Sequence, residues 1–303
     1  MINGIINIYK EEGFTSHDVV AKLRGILHFK HIGHTGTLDP MATGVLPVCI
    51  GSATKLCDME TAKTKIYEAE VLFGTATDTE DITGKVIKTL PVNCDEEQLK
   101  SSFKAFTGDI MQMPPMYSAI KVEGKKLYEL ARAGKTAEVA KRPVTIHSIE
   151  LLDTVKDEKD LLKEARIRIT CGKGTYIRSL CRDLGEELGT CACMKSLVRM
   201  KTGRFEIESA VTLSEVAKAA GEDRLSDVIL PIDEYFNEYP VLSTKEEFDK
   251  LVRNGNPLRK REVTTCVDST FYRVYDSCGD FCGIYFFDPA DNKYKPEKMF
   301  LSM

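Results

Sequence analysis

The chain has 303 residues, 43% hydrophobic and 29% charged, with a formal net charge of -4. That is length for one large domain and a small one, at a composition ordinary for a globular protein. A weakly acidic total does not advertise a nucleic-acid binder, and it does not exclude one, because binding depends on a local basic surface rather than on the total.

Met1 to Lys10 has no basic segment followed by a sufficient apolar run, and no stretch reads as a membrane span. A cytoplasmic protein is expected, with its ten cysteines reduced. The closest cysteine pairs, Cys191 with Cys193 and Cys278 with Cys282, lack CxxC spacing and a nearby histidine, so no metal site is expected.

Gly4 to Tyr9 reads as a strand. Thr15 or Ser16 then caps a helix with Val19, Val20, Leu23, Ile26 and Leu27 at helical spacing. In Ile66 to Gly74, Tyr67, Ala69, Val71 and Phe73 alternate with charged residues, the pattern of a strand with one buried face. Thr75 to Lys85 reads as a polar loop, Asp95 to Phe106 as a helix, and Met111 to Ser118 as a break in regular structure. Residues 121–142 carry seven Lys/Arg against three Glu, which fits either a solvated helical face around Leu127 to Ala133 or a phosphate-contacting surface.

Ala165 to Cys171 alternates as a strand. Gly172-Lys173-Gly174-Thr175 turns it into a helix with Ile177, Leu180, Cys181, Leu184 and Leu188 inward, ended by Gly189. This is not a P-loop, because the GxxxxGK[ST] spacing is absent. Arg178 falls in the first turn, where a cation opposes the helix dipole, so a carboxylate or phosphate is expected to hold it unless it is a tolerated surface residue. Phe205 to Val211 reads as a short strand, and Thr212 with Glu215 as a capping box for a helix stopping at Gly221. Phe271 to Tyr275 and Phe281 to Phe287, separated by a turn, indicate a small β-rich terminal domain; Lys293, Lys295 and Lys298 follow it.

The stretch Gly33 to Pro47 holds three glycines, two prolines and a single carboxylate, Asp39. Pro40 fixes its own φ and biases Asp39 toward extended geometry. Such stiffness suits an acid held for chemistry, although Gly/Pro clusters often mark only a turn.

Several separated stretches agree in order: Gly33 to Pro47; Lys65-Ile66-Tyr67; Met116 to Lys121 with Gly124 to Tyr128; and Lys173 to Arg178. Together they resemble the bacterial tRNA pseudouridine synthase B (TruB) family over essentially the whole chain, and Gly255-Asn256-Pro257 is similar to the start of that family's PUA domain. The resemblance implies a mixed α/β (α+β) fold, with a largely antiparallel central sheet flanked by helices (the pseudouridine synthase fold). It implies a catalytic domain over 1–235 with a thumb-like RNA-binding insertion at about 111–142, and a PUA-like domain over 236–303. The implied activity is isomerisation of the T-loop uridine of tRNA to pseudouridine without metal or organic cofactor, by a monomer with tRNA as partner through its T-arm and acceptor side.

Residue by residue, the resemblance makes Asp39 the catalytic aspartate, as nucleophile or ribose-side base. Tyr67 becomes the tyrosine stacked on the target base, and Arg178 the partner of the aspartate. Tyr176 and Leu197 line the pocket, and His34 enters the RNA stack where the base has left. Lys65, Lys173, Lys121, Lys125 and Lys126 are expected substrate contacts. A paired guanidinium would keep Asp39 ionised, and an aromatic face would replace the stacking lost on base flipping. Two positions depart from the family's frequent pattern: Cys193, where it has histidine, and Met200, where it has a second arginine. The competing readings are an RNA-binding or tRNA-folding protein with vestigial catalysis, against which Asp39, Tyr67 and Arg178 together argue, and a guide-RNA-dependent synthase of the dyskerin type, which usually carries an N-terminal extension.

Overall fold

The computed structural model describes residues 3–122, 124–134, 139–264 and 267–301. The first half contains β1 (Gly4–Lys10), α1 (Ser16–Leu27), β2 (Ile32–His34), β3 (Thr43–Ile50), α2 (Cys57–Thr61), β4 (Lys65–Phe73), β5 (Thr75–Thr77), β6 (Val86–Thr89), α3 (Glu96–Phe106) and β7 (Gly108–Gln112). A short hairpin, β8 (Lys121–Val122) and β9 (Lys125–Lys126), leads into α4 (Leu127–Arg132). Then come β10 (Arg142–Lys156), β11 (Leu162–Cys171), α5 (Ile177–Glu187), β12 (Ala192–Thr202), β13 (Phe205–Glu206), α6 (Leu213–Gly221) and α7 (Ile232–Tyr235).

The central sheet has the order β1-β3-β12-β4-β11-β10-β7, with β2 on β3 and β13 on β12. Its pairs are antiparallel except β12 with β3, where Val198 faces Thr43 and Arg199 faces Gly44. The sheet is thus mixed and largely antiparallel, as expected. Alternation on β4 and β11 turns Ala69, Val71, Ile167 and Ile169 toward Leu99 and Phe103 of α3 and Ile177, Leu180 and Leu184 of α5, in one core. At the other end both faces are covered. Ile6, Ile8, Leu46 and Val48 pack on α1 and α6, while Ile5, Val45 and Cys49 face Phe205, Tyr235 and Phe236.

Capping boxes start three helices at Thr15, Asp95 and Thr212. Each joins two otherwise orphaned backbone donors to side-chain acceptors. Three sequence expectations need correction. Part of the 75–85 stretch is the β5 strand of a hairpin with β6. The break after α3 begins at Met113, because Met111 and Gln112 pair with Pro143 and Arg142 at the sheet edge. Only Phe205 and Glu206 of the 205–211 run form a strand; Ile207–Ser209 is a 3-10 turn.

After α7 the chain forms a second sheet from β14 (Val241–Thr244), β15 (Leu258–Arg259), β16 (Val263–Thr264), β17 (Phe271–Tyr275), β18 (Phe281–Asp288) and β19 (Lys293–Met299), with α8 (Asp249–Arg253) after β14. Its order is β15-β19-β18-β17-β14-β16. Leu242, Val252, Tyr272, Val274 and Tyr285 fill its own core, and Ile284 and Phe300 join the core on the far face of β1 and β3. No described helix is long and apolar enough to cross a membrane.

Candidate active site

Asp39 lies in the loop between β2 and β3, held from both sides. Leu38 and Ala42 are buried in the main core. The Leu38 amide donates to Ser16 Oγ (2.9 Å), and the Pro40 carbonyl accepts from the Gly13 amide (2.9 Å) and the Lys10 ammonium (3.2 Å). The stiffness expected from Gly and Pro is therefore reinforced by the β1–α1 segment. Lys10 is fully buried and also donates to the carbonyls of Glu11 and Phe14; burial pushes its ammonium down to about 8.

Arg178 supplies the counter-charge from the first turn of α5. Its Nε lies 2.9 Å from Oδ2 of Asp39, and a terminal nitrogen donates to Oδ1 at 3.3 Å, the two-point geometry in which a guanidinium grips a carboxylate. The same group donates to the carbonyls of Thr79 (3.0 Å) and Tyr117 (2.9 Å) and stands 3.7 Å from Asp81. A cation in an unfavourable place on its helix is thus held by carboxylates, one of the two anions anticipated. Only 6% of the Arg178 side chain is accessible, against 35% of that of Asp39, so the pair is anchored on one side and open on the other.

Burial is the largest influence on Asp39 and lifts its carboxyl above the usual range. Arg178 pulls it down, Asp81 pushes it up again, and Lys10 pulls down with Arg178. The sequence argument that the guanidinium sets this acid's state is therefore only half of the balance.

Tyr67 stands on β4 directly across from Arg199 on β12. It is 9% exposed, and Arg199 and Asp39 are among the charges acting on its phenol. Leu197 is buried in the same core. Tyr176 is half-buried, and Asp39 and Arg178 both act on its phenol. Gln112 clamps the Tyr176 backbone, accepting from its amide (2.8 Å) and donating to its carbonyl (3.0 Å). His34 is half-buried, edge-on to His17 at 5.7 Å between ring centroids; burial, helped by His17 and Arg199, holds it below the ordinary histidine value, so the ring is neutral at neutral pH.

The expected lysines are dispersed. Lys65 is buried, with its ammonium turned to the carbonyls of Thr61 and Lys63 (both 2.6 Å) and pushed by burial down to about 8. Lys121, Lys125 and Lys173 are exposed, and Lys126 is half-buried with its ammonium over the Tyr128 ring. Lys135, Glu123 and Glu138 of the basic stretch lie outside the described residues. Among the described residues, no group of three or more His, Cys, Asp or Glu is placed to hold a metal ion.

Three residues at the centre escaped the sequence reading: Arg199, Lys10 and Asp81. Asp81 had the clearest signal, since acids in Thr-rich turns accept local hydrogen bonds. It accepts from Thr79 and Thr83 while facing Arg178.

Residues 24–177 match the model for the TruB family pseudouridylate synthase N-terminal domain, and residues 178–237 match that for the tRNA pseudouridylate synthase B C-terminal domain. A protein named tRNA pseudouridine synthase B from Lachnoclostridium phytofermentans is 49% identical across 99% of this chain and 100% of its own. One of the same name from Limosilactobacillus reuteri is 42% identical, with 99% of each chain covered. Among solved structures, a Cbf5-Nop10-Gar1 complex aligns over 99% of this chain and 85% of that chain, with a TM-score of 0.69 at 25% identity. An H/ACA RNP bound to a substrate RNA aligns over 98% of this chain and 85% of its own, with a TM-score of 0.68 at 23% identity, a likeness of fold.

Proposed function

The chain belongs to the TruB family of pseudouridylate synthases, and we propose that it is a stand-alone isomerase converting the T-loop uridine of tRNA, position 55, to pseudouridine. The observation that carries this reading is the Asp39–Arg178 pair: a carboxylate gripped at two points by a buried guanidinium, with its outer side open. The reaction gains and loses no atoms. The bond from ribose C1′ to base N1 breaks, the base turns, and C1′ bonds to C5, whose proton moves to nitrogen. Such chemistry requires the nucleotide to leave the stack.

In this reading Asp39 acts on the ribose side and Arg178 keeps its carboxylate aimed. The ring of Tyr67 faces the flipped base, with Leu197 and Tyr176 beside it. His34, neutral and on the rim, enters the space that the base vacates. Lys121, Lys125, Lys126 and Lys173 meet phosphates, and Lys65 braces the turn that leads into the strand carrying Tyr67 through the Thr61 and Lys63 carbonyls. Residues 1–235 act as the catalytic domain, about 111–142 as a thumb closing on the T-arm, and 236–303 as a PUA-like unit on the acceptor side. The working form is a cytoplasmic monomer. The Arg178 bond to the Tyr117 carbonyl supports the thumb assignment, because it ties that segment to the catalytic loop.

The test is purified protein with an unmodified tRNA transcript, read by carbodiimide labelling and mass spectrometry. Pseudouridine at the T-loop position with no other RNA or protein present is the expected outcome; no product would sink the stand-alone reading. Comparison of full tRNA with an isolated T-arm hairpin separates the thumb's contribution from that of the C-terminal unit.

A further inference from the structure

One rung of the central sheet runs through the site. Lys10 on β1 faces Gly44 on β3, Gly44 faces Arg199 on β12, and Arg199 faces Tyr67 on β4. Arg199 leads the fully buried side chains in size, at 1% exposure. Its Nε donates to the Val45 carbonyl (2.6 Å) and a terminal nitrogen to the Gly36 carbonyl (3.2 Å), while Tyr67 lies directly across from it on β4 and its charge acts on the Tyr67 phenol. Among the described residues no carboxylate pairs with Arg199, whereas its counterpart Arg178 has Asp39 and Asp81.

A buried guanidinium without a counter-ion is costly to fold. Two carbonyls need only neutral donors, so the charge is surplus to them. Lys10 and Lys65, also buried and without a carboxylate partner among the described residues, add to the positive potential. On the β4 side Arg199 lies directly across from Tyr67. When the C1′–N1 bond breaks, its electron pair moves onto the uracil ring, and it is released again as C1′–C5 forms. A preorganised positive potential is most effective where such charge develops away from water.

We propose that Arg199 is a positioning residue for the isomerisation: it holds the far end of the Tyr67 ring at the phenol oxygen, which fixes the ring face against the uracil, and its buried charge supplies positive potential beside the base as the base takes up the electron pair. This rests on the reading that Tyr67 faces the base.

The experiment is a double-mutant cycle in single-turnover kinetics with tRNA, together with tRNA affinity. Arg199→Lys keeps the charge but loses the fork. It is expected to slow the chemical step about tenfold or more with affinity changed less than about twofold, and to cost less than about twofold when added to Tyr67→Phe. The same loss in both backgrounds, or no loss in either, overturns the inference and leaves Arg199 as a brace for the loop through Gly36 and Val45. Should Arg199→Lys not fold, fluorinated tyrosines at position 67 test the same idea in the otherwise native chain. The rate is expected to fall as fluorination weakens the phenol oxygen as an acceptor from Arg199, and a rate indifferent to it overturns the proposal. Native rates for both Tyr67→Phe and Tyr67→Leu would instead remove Tyr67 from the base pocket, a failure of the underlying reading that is distinct from failure of the inference.

Discussion

Arg178 and Asp39 stand 139 positions apart in the chain, yet the guanidinium holds both carboxylate oxygens. The contact joins a loop of the first sheet strands to the first turn of α5, and through the Tyr117 and Thr79 carbonyls it also fixes two further loops. The acid is therefore held by the whole fold rather than by its own loop.

Asp39→Asn is expected to lower turnover by at least about a thousandfold, as removal of a reacting group does, with tRNA affinity within a few fold. Carbodiimide labelling and filter binding measure the two. Equal loss of both would make Asp39 structural. The same substitution is expected not to lower the melting temperature at neutral pH. A carboxyl whose folded value is raised contributes stability that is full below its unfolded value and lost as pH rises through the folded one. At neutral pH the ionised form is thus a net cost that asparagine removes. Melting several degrees below native at neutral pH would reverse the sign of that argument.

Activity should fall as acid protonates Asp39. Because burial raises this carboxyl, the acid limb of kcat/KM is expected above the ordinary aspartate value of about 4. Arg178 pulls the other way, so Arg178→Met should move the limb to still higher pH, by about one unit or more, besides slowing the reaction. A limb unmoved in Arg178→Met would mean that the guanidinium does not set the ionisation of the acid.

Gly44→Ala is expected to cost about 3 kcal/mol or more. Gly44 has a φ of +98°, and an added Cβ would lie 2.3 Å from the Arg199 carbonyl oxygen and 2.9 Å from its nitrogen. The clash is with backbone, so β3 and β12 must separate. Thermal unfolding reads the loss, and an unshifted melting point would mean that the sheet opens there without strain.

Lys121→Ala with Lys125→Ala should weaken tRNA binding without changing the pH profile. If each lysine meets a phosphate, the slope of log affinity against log salt falls by about one for each contact removed. An unchanged slope would place these exposed ammonium groups away from RNA.

Much of the fold could be read because burial on one face leaves a period. The alternation of β4 and β11 and the capped starts of α1, α3 and α6 all follow from local chemistry. Where the ladder carries bulges the period fails. β10 shifts register at Ile146/Ser148 and Leu151/Asp153, and β12 at Met194/Ser196 and Arg199/Lys201, and neither strand stands out by alternation. In the site, Arg178 was legible because a cation at a helix start needs an anion. Arg199 was not: an arginine in a strand looks solvated until pairing with β3 and β4 encloses it. Lys10 was hidden likewise, since no pattern near it announces that three carbonyls will surround its ammonium.

The place of β12 has a consequence for how the protein is made. Residues 192–202 fill the gap between two strands completed by residue 73. During synthesis, Asp39 and Tyr67 therefore leave the ribosome long before the strand that joins their halves of the sheet. Until it arrives, β3 and β4 each present an unpaired edge, and so distant a closure is slow to form. A chain stopped before Ala192 would be no weakened enzyme but two unjoined pieces of sheet, so this pocket closes only once β12 has been made.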